Sequence, residues 1–313
     1  MNQIHLTGLE GTNPLGFLAA LGVQVAFGSK ATQPCLWWSD DIIPHAVVDE
    51  EFDLERITAQ CMKAFALWRD SPAIAPKRPD GSDMPKGDEL KLKPDDIRMY
   101  LQSYLQCIDQ CDRGEGLITA LVAEGSLDNQ GVAKPSDLYF TAGQQKFLAV
   151  ARQILNGVAC EDLLTGLEGP WNYDSELSSL GWDIVDDRVY ALRAHDPASK
   201  SGPDPKLTNP GIEALAILGL SLHPVFGSKD RTLTQGCSGS WKAGSYSWPL
   251  WRKPASPYVV KSLLAHGHYH PTASDRDRWF RSWGIFRILR SPVRRSAQGG
   301  YGTFGPSEVA WQL

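Results

Sequence analysis

The sequence lacks the features that mark several large classes of protein. No apolar run reaches the ~18 residues that a bilayer-spanning helix needs. The opening Met1-Asn2-Gln3-Ile4-His5 leads into neither a basic stretch nor a long apolar one, so no secretory signal peptide is expected. None of the six cysteines (Cys35, Cys61, Cys107, Cys111, Cys160, Cys237) belongs to a CxxC pair. Cys107 and Cys111 lie one helical turn apart, but no second close pair completes a four-ligand zinc site, and the spacing suits a core face. Reduced thiols in a cytoplasmic protein are the expectation. P-loop, Rossmann glycine, HExxH and GxSxG patterns are all missing, so motifs assign no catalytic residue and no cofactor. Net basic charge is missing too: 31 Lys+Arg face 36 Asp+Glu, a net charge of −5. The 313 residues suffice for two modest domains or one large one.

The total charge conceals an uneven distribution. Residues 226–313 carry 13 Lys+Arg and 4 Asp+Glu, whereas residues 1–225 carry 18 and 32. The densest stretch, Arg276 to Arg295, holds seven arginines and one acid, Asp277. This split predicts an electropositive face on an acidic body. The alternative is that these arginines pair with acids of the other half, because sequence does not say which residues are neighbours. Arg276, Arg278, Arg281, Arg287, Arg290, Arg294 and Arg295 are interleaved with Trp279, Phe280, Trp283 and Phe286, and Gly299–Pro306 follows with Tyr301 and Phe304. Guanidinium forks suit phosphate, aromatic rings stack on unpaired bases, and glycine lets backbone N–H groups approach a phosphate chain. The seven arginines with Tyr301 and Phe304 are therefore the candidate nucleic-acid-binding set. The competing reading puts the aromatics in the core, the arginines in solvent and the glycines in a turn.

Two patterns invite a metal reading. His266, His268 and His270 form HxHxH, and alternate residues of a strand point to one face. No Asp or Glu flanks them at obvious ligand spacing, and the favoured alternative is a polar strand edge or a backbone-contacting loop. Asp183, Asp186 and Asp187 read as a turn entering a strand. A metal-dependent nuclease or hydrolase built on HxHxH is one alternative function, and a scaffold docking an acidic protein partner is another.

Apolar periodicity predicts a strand at Ile4–Leu9 and a buried helix from Pro14 with Asn13 as its cap. It predicts a further strand at Leu36–Trp38, helices over 53–68, from Pro94 and over 144–155, and a strand from Trp182. Residues 70–95, rich in proline and charge, read as a mobile surface loop. Thr12-Asn13-Pro14 and the apolar helix ending at Leu21-Gly22 recur as Thr208-Asn209-Pro210 and the helix ending at Leu218-Gly219. Phe-Gly-Ser-Lys follows each copy, at 27–30 and 226–229. The expected fold is α+β, with two related halves around a duplicated strand–turn–helix unit. Its expected divisions are 1–170, acidic, and 171–313, with the basic end.

The segment Asn13 to Gly22 resembles the opening of large-subunit-like proteins of type I-G (formerly I-U) CRISPR effector complexes of the Cascade kind. Further blocks in the same order carry the resemblance: Ser71-Pro72-Ala73, Leu90 to Arg98, Thr141 to Leu148, Trp182-Asp183, and Asp186 to Pro197. Together they span about two thirds of the chain. The resemblance implies a non-catalytic subunit of an RNA-guided surveillance complex in antiviral defence. Its implied partners are CRISPR RNA, target DNA and other effector subunits, with cleavage left to a separate helicase-nuclease. It supplies no catalytic residues. The chain is much shorter than the longest relatives.

Overall fold

The computed structural model describes residues 3–28, 32–49, 51–78, 80–84, 86–105, 115–143, 145–184, 209–228, 231–266, 273–296 and 300–313. Strand β1 (Gln3–Glu10) turns at Gly11–Asn13 into helix α1 (Pro14–Ala26). The Asn13 side chain accepts from the Leu15 N–H at 2.9 Å, and Pro14 occupies a first-turn position where its missing N–H costs nothing. Every residue of α1 except Val25 is buried, as its all-round apolar sequence requires. Strands β2 (Leu36–Trp38) and β3 (His45–Asp49) complete an antiparallel sheet in the order β1-β3-β2. Helix α2 (Leu54–Arg69) is capped by Asp53 through the Arg56 N–H. Helices α3 (Pro94–Leu105) and α4 (Glu115–Leu121) lead to the hairpin β4 (Val122–Leu127) and β5 (Ala133–Pro135). Helices α5 (Phe147–Gly157) and α6 (Cys160–Glu168) follow.

Helix α7 (Pro210–Leu220) repeats the local chemistry of α1: the Asn209 side chain accepts from the Ile212 N–H, Pro210 opens the helix, and all eleven residues are buried. The two helices cross antiparallel and touch backbone to backbone. A Cβ on Gly22 would lie 1.9 Å from the Leu215 carbonyl oxygen, and one on Gly219 would lie 1.9 Å from the Leu18 carbonyl oxygen. Only glycine permits that approach from both sides. The contact is reciprocal, since Leu18 and Gly22 of one helix stand where Leu215 and Gly219 stand in the other. The likeness ends at the helix. Phe27 closes α1 and is buried, with Gly28 at φ 66, whereas Phe226 is exposed in a strand, β6 (Val225–Gly227). The stretch that would precede α7 as its strand, 185–208, lies outside the described residues. The fold is α+β; among the described residues two helices share the same Asn-Pro cap, and a duplicated strand–turn–helix unit is not seen.

Strand β6 pairs with β7 (Thr232–Thr234). Strands β8 (Cys237–Ser240), β9 (Ala243–Trp251) and β10 (Ile285–Arg295) form the main antiparallel sheet. Helices α8 (Pro257–His266) and α9 (Ala273–Ser282) connect β9 to β10. The far edge of β10 is shared: β12 (Glu308–Gln312) pairs with Arg287–Arg290 and β11 (Gly302–Phe304) with Val293–Arg295. Both sides of the expected 170/171 boundary contribute to one hydrophobic core. Phe17 stacks on Trp38 and meets Trp248 and Trp251, whose indole N–H groups donate to the Gly11 and Leu36 carbonyls. The two halves differ in charge but interlock in packing.

The segment 70–95 is not the free loop that its prolines and charges predict. Ala73, Ile74, Met84, Leu90 and Leu92 are buried, each no more than 4 % exposed. Tyr100 donates its hydroxyl to the Ala73 carbonyl, and Tyr139 donates to that of Glu89. Scattered apolar residues anchor this chain even though they follow no helical or strand period.

Candidate nucleic-acid interface

Strand β10 sets the geometry of the basic end. Successive side chains of a strand point to opposite faces. Leu289 and Ser291 pair with the buried Trp248 and Tyr246, so the face bearing Arg287, Leu289, Ser291, Val293 and Arg295 looks into the core. The opposite face carries Ile288, Arg290, Pro292 and Arg294. Helix α9 covers the first part of this outer face: Phe280 meets Trp311 at 4.9 Å, and the Trp311 indole donates to Asp277 at 2.6 Å. Ile288 is buried beneath that cover and Arg290 is exposed beyond it.

The outer arginines are the accessible ones. Arg290 is exposed and approaches Ser247 Oγ at 3.4 Å, and Arg294 is half-buried against Gly305. Arg278 and Arg281 are exposed one turn apart on α9. Trp279 beside them is 43 % exposed, and its ring meets that of Trp283 at 5.1 Å. Among the described residues none of these four arginines forms an ion pair with a carboxylate. The side chain of Arg276 lies outside the described residues.

The inner arginines are engaged within the fold. Arg295 donates from Nη1 to the Tyr139 carbonyl at 2.8 Å, from Nη2 to that of Asp137 at 2.7 Å and from Nε to that of Trp241 at 3.1 Å. Its guanidinium lies 3.4 Å from the centroid of the Trp241 ring and 5.3 Å from that of Phe140. Burial pulls its pKa down to about 10, opposed by the nearby Asp137. The arginine therefore stays charged at neutral pH, with each of its three nitrogens bonded within the protein. Arg287 is half-buried and reaches the Ile42 carbonyl at 3.4 Å. Phe304 is 0 % exposed, between Phe140 at 4.9 Å and Tyr246 at 5.7 Å, so its ring has no face to offer a base. Tyr301 is half-buried, its hydroxyl against Gly143. The described candidate residues thus do not form one surface: Phe304 is in the core, the half-buried Arg295 is bonded within the fold, and Arg278, Arg281, Arg290 and Arg294 stay on the outside.

The HxHxH side chains lie outside the described residues, as do Asp186 and Asp187. Asp183 accepts from Asn13 Nδ2 at 2.8 Å and from the Tyr173 hydroxyl at 2.7 Å, which makes it a fastener between the α1 cap and the 171–183 segment. Among the described residues no group of three His, Cys, Asp or Glu side chains is placed to hold a metal ion. No described helix is long and apolar enough to cross a membrane. Residue type alone gave no sign of Trp241, whose contact with Arg295 joins positions 54 apart. It also gave no sign of a second basic concavity, lined in part by Lys86 and Lys146. No protein-family model matches the chain, and no curated protein sequence matches it.

Proposed function

We propose that this chain is a non-catalytic, nucleic-acid-binding subunit of an RNA-guided CRISPR surveillance complex, contacting guide RNA, target DNA or both. The observation that carries the reading is the outer face of β10 with α9. There Arg278 and Arg281, flanking the exposed Trp279 on α9, and Arg290 and Arg294 on the strand stand without carboxylate partners among the described residues. Unpaired guanidinium groups beside an aromatic ring suit a strand's phosphates and one unstacked base. The net acidic charge of the rest of the chain disfavours indiscriminate binding elsewhere. The type I-G resemblance supplies the biological setting, and the other effector subunits would be the protein partners.

The test is binding of single-stranded RNA and duplex DNA at several salt concentrations. Replacing Arg278, Arg281, Arg290 and Arg294 together with Ala should lower affinity by ~10-fold or more and flatten the slope of log affinity against log salt by roughly 3. Unchanged affinity and slope would remove the assignment to this face. A protein partner recovered with the native assembly in the absence of any nucleic acid would favour the scaffold reading instead.

A further inference from the structure

A second cationic feature lies far from β10 in the chain. Residues 75–77, 83–84 and 86–88, with Lys146 and Arg152 at and within α5, line an open cavity of about 450 Å³, whose charged lining is Lys77, Asp83, Lys86, Asp88, Lys146 and Arg152. Four cations thus face two carboxylates, and both carboxylates are engaged. Lys77 donates to Asp83, and Arg152 donates to Asp88 at 2.8 Å while its other terminal nitrogen bonds the Ile74 carbonyl at 2.8 Å. Lys146 stands 3.8 Å from Glu89, whose carboxylate is held more closely, at 2.9 Å, by Lys91. Lys86 has no carboxylate within ion-pair distance among the described residues. Lys86 and Lys146 are therefore the cations with donors to spare.

The backbone at the rim is also unusual. Lys86 adopts φ 56, ψ 17, the left-handed region that L side chains enter at a cost. Leu90, across the short 3-10 turn Gly87–Glu89, does the same at φ 55. The buried Met84 and Leu90 hold this strained turn in place. Strain kept in that way is a common property of ligand clamps.

We propose that this cavity binds a phosphate group, with Lys86 and Lys146 as its principal donors. The cavity is large enough for a nucleotide-sized group. A phosphate of a nucleic-acid strand and that of a free nucleotide present the same chemistry. This site shares no residue with the arginine face of β10 and does not depend on it.

Titration calorimetry on the full chain at low salt tests the proposal with inorganic pyrophosphate, ATP and a short single-stranded RNA. Pyrophosphate should bind the native protein. Lys86→Gly and the Lys86→Glu, Lys146→Glu pair should each weaken it by ~10-fold or more, as loss of charge-assisted hydrogen bonds predicts. Lys86→Gly also controls for folding: glycine accepts φ 56 without strain, so Tm should rise while affinity falls. If the RNA responds to the cavity variants, the source is a strand; if only ATP and pyrophosphate respond, it is a free nucleotide. Either result supports the site. No pyrophosphate binding at millimolar concentration, or equal affinity in the native protein and both cavity variants, overturns it. If RNA binding depends on the β10 arginines while the cavity variants change nothing, this inference fails and the proposed function stands.

Discussion

The two faces of β10 carry the same residue type to opposite ends. Arg295, on the inner face, donates from all three guanidinium nitrogens, to the Trp241, Tyr139 and Asp137 carbonyls, and lies over the Trp241 ring. Arg290, on the outer face, has one long contact to a serine hydroxyl and is otherwise open to solvent. They are five positions apart along the strand, and strand periodicity places an odd offset on opposite faces. Charge density along a sequence therefore overstates the cation available to a ligand. Part of that charge holds the sheet to the β4–β5 region, and the remainder defines the outward field.

The largest expected effect tests the inner face. Arg295→Ala leaves three carbonyls without their donor and removes the group beside the Trp241 and Phe140 rings. Losing charge-assisted bonds to partly buried acceptors should cost about 3 kcal/mol of folding stability. Urea unfolding of this variant beside Arg290→Ala checks the contrast. The outer-face change should stay within about 0.5 kcal/mol of the native protein, as surface substitutions generally do. Equal losses in the two variants would break the distinction between the faces.

A finer test keeps the charge and changes its shape. Lysine is a point charge without the planar fork that serves several carbonyls and stacks on a ring. Arg295→Lys should still cost about 1–2 kcal/mol, because one ammonium cannot reproduce three directed bonds and the Trp241 contact. Arg290→Lys should leave both stability and the salt slope of nucleic-acid binding near native, since a phosphate accepts either cation. An Arg295→Lys variant as stable as the native protein would mean that charge, rather than geometry, holds the β10 end in place.

Period-two alternation divides the arginines of 287–295 into Arg287 and Arg295 on one face and Arg290 and Arg294 on the other. That division is legible once the segment is taken as a strand. Grouping the seven arginines by density carries no facing and hides it. The Asn-Pro caps of α1 and α7 are legible because their hydrogen bonds reach only two or three residues along the chain. The antiparallel contact of Gly22 with Leu215 is not, because it depends on how two distant helices meet. Residues 70–95 mislead for a related reason: Ile74, Met84, Leu90 and Leu92 are isolated among prolines and charges, and only the tertiary fold buries them. The cationic cavity is hidden too, since it joins Lys86 to Lys146 across 60 residues.

The smallest expected effect uses pH to separate both arginine roles from a histidine pair across β1 and β3. His5 Nδ1 lies 2.6 Å from His45 Nε2, and His45 Nδ1 approaches Ser39 Oγ at 3.1 Å and Asp41 at 3.5 Å. Burial lowers the His45 pKa, the neighbouring His5 lowers it further, and Asp41 opposes both. The unfolded chain therefore binds the proton more readily than the folded one. Stability from this group is fully present above the ordinary histidine value of 6.5 and is lost as pH falls from there through the lowered folded value. Guanidinium groups keep their charge over the same range, so the stability difference between the native protein and Arg290→Ala should not change between about pH 8 and about pH 5.5. Urea unfolding at both pH values should show a modest loss in the native protein that His45→Gln reduces. An unaltered loss in His45→Gln would move the titration to another group. Arg295→Ala should behave differently from Arg290→Ala: burial raises the Asp137 carboxyl and Arg295 pulls it back down, so removing the guanidinium raises it further and makes this variant's stability difference depend on pH.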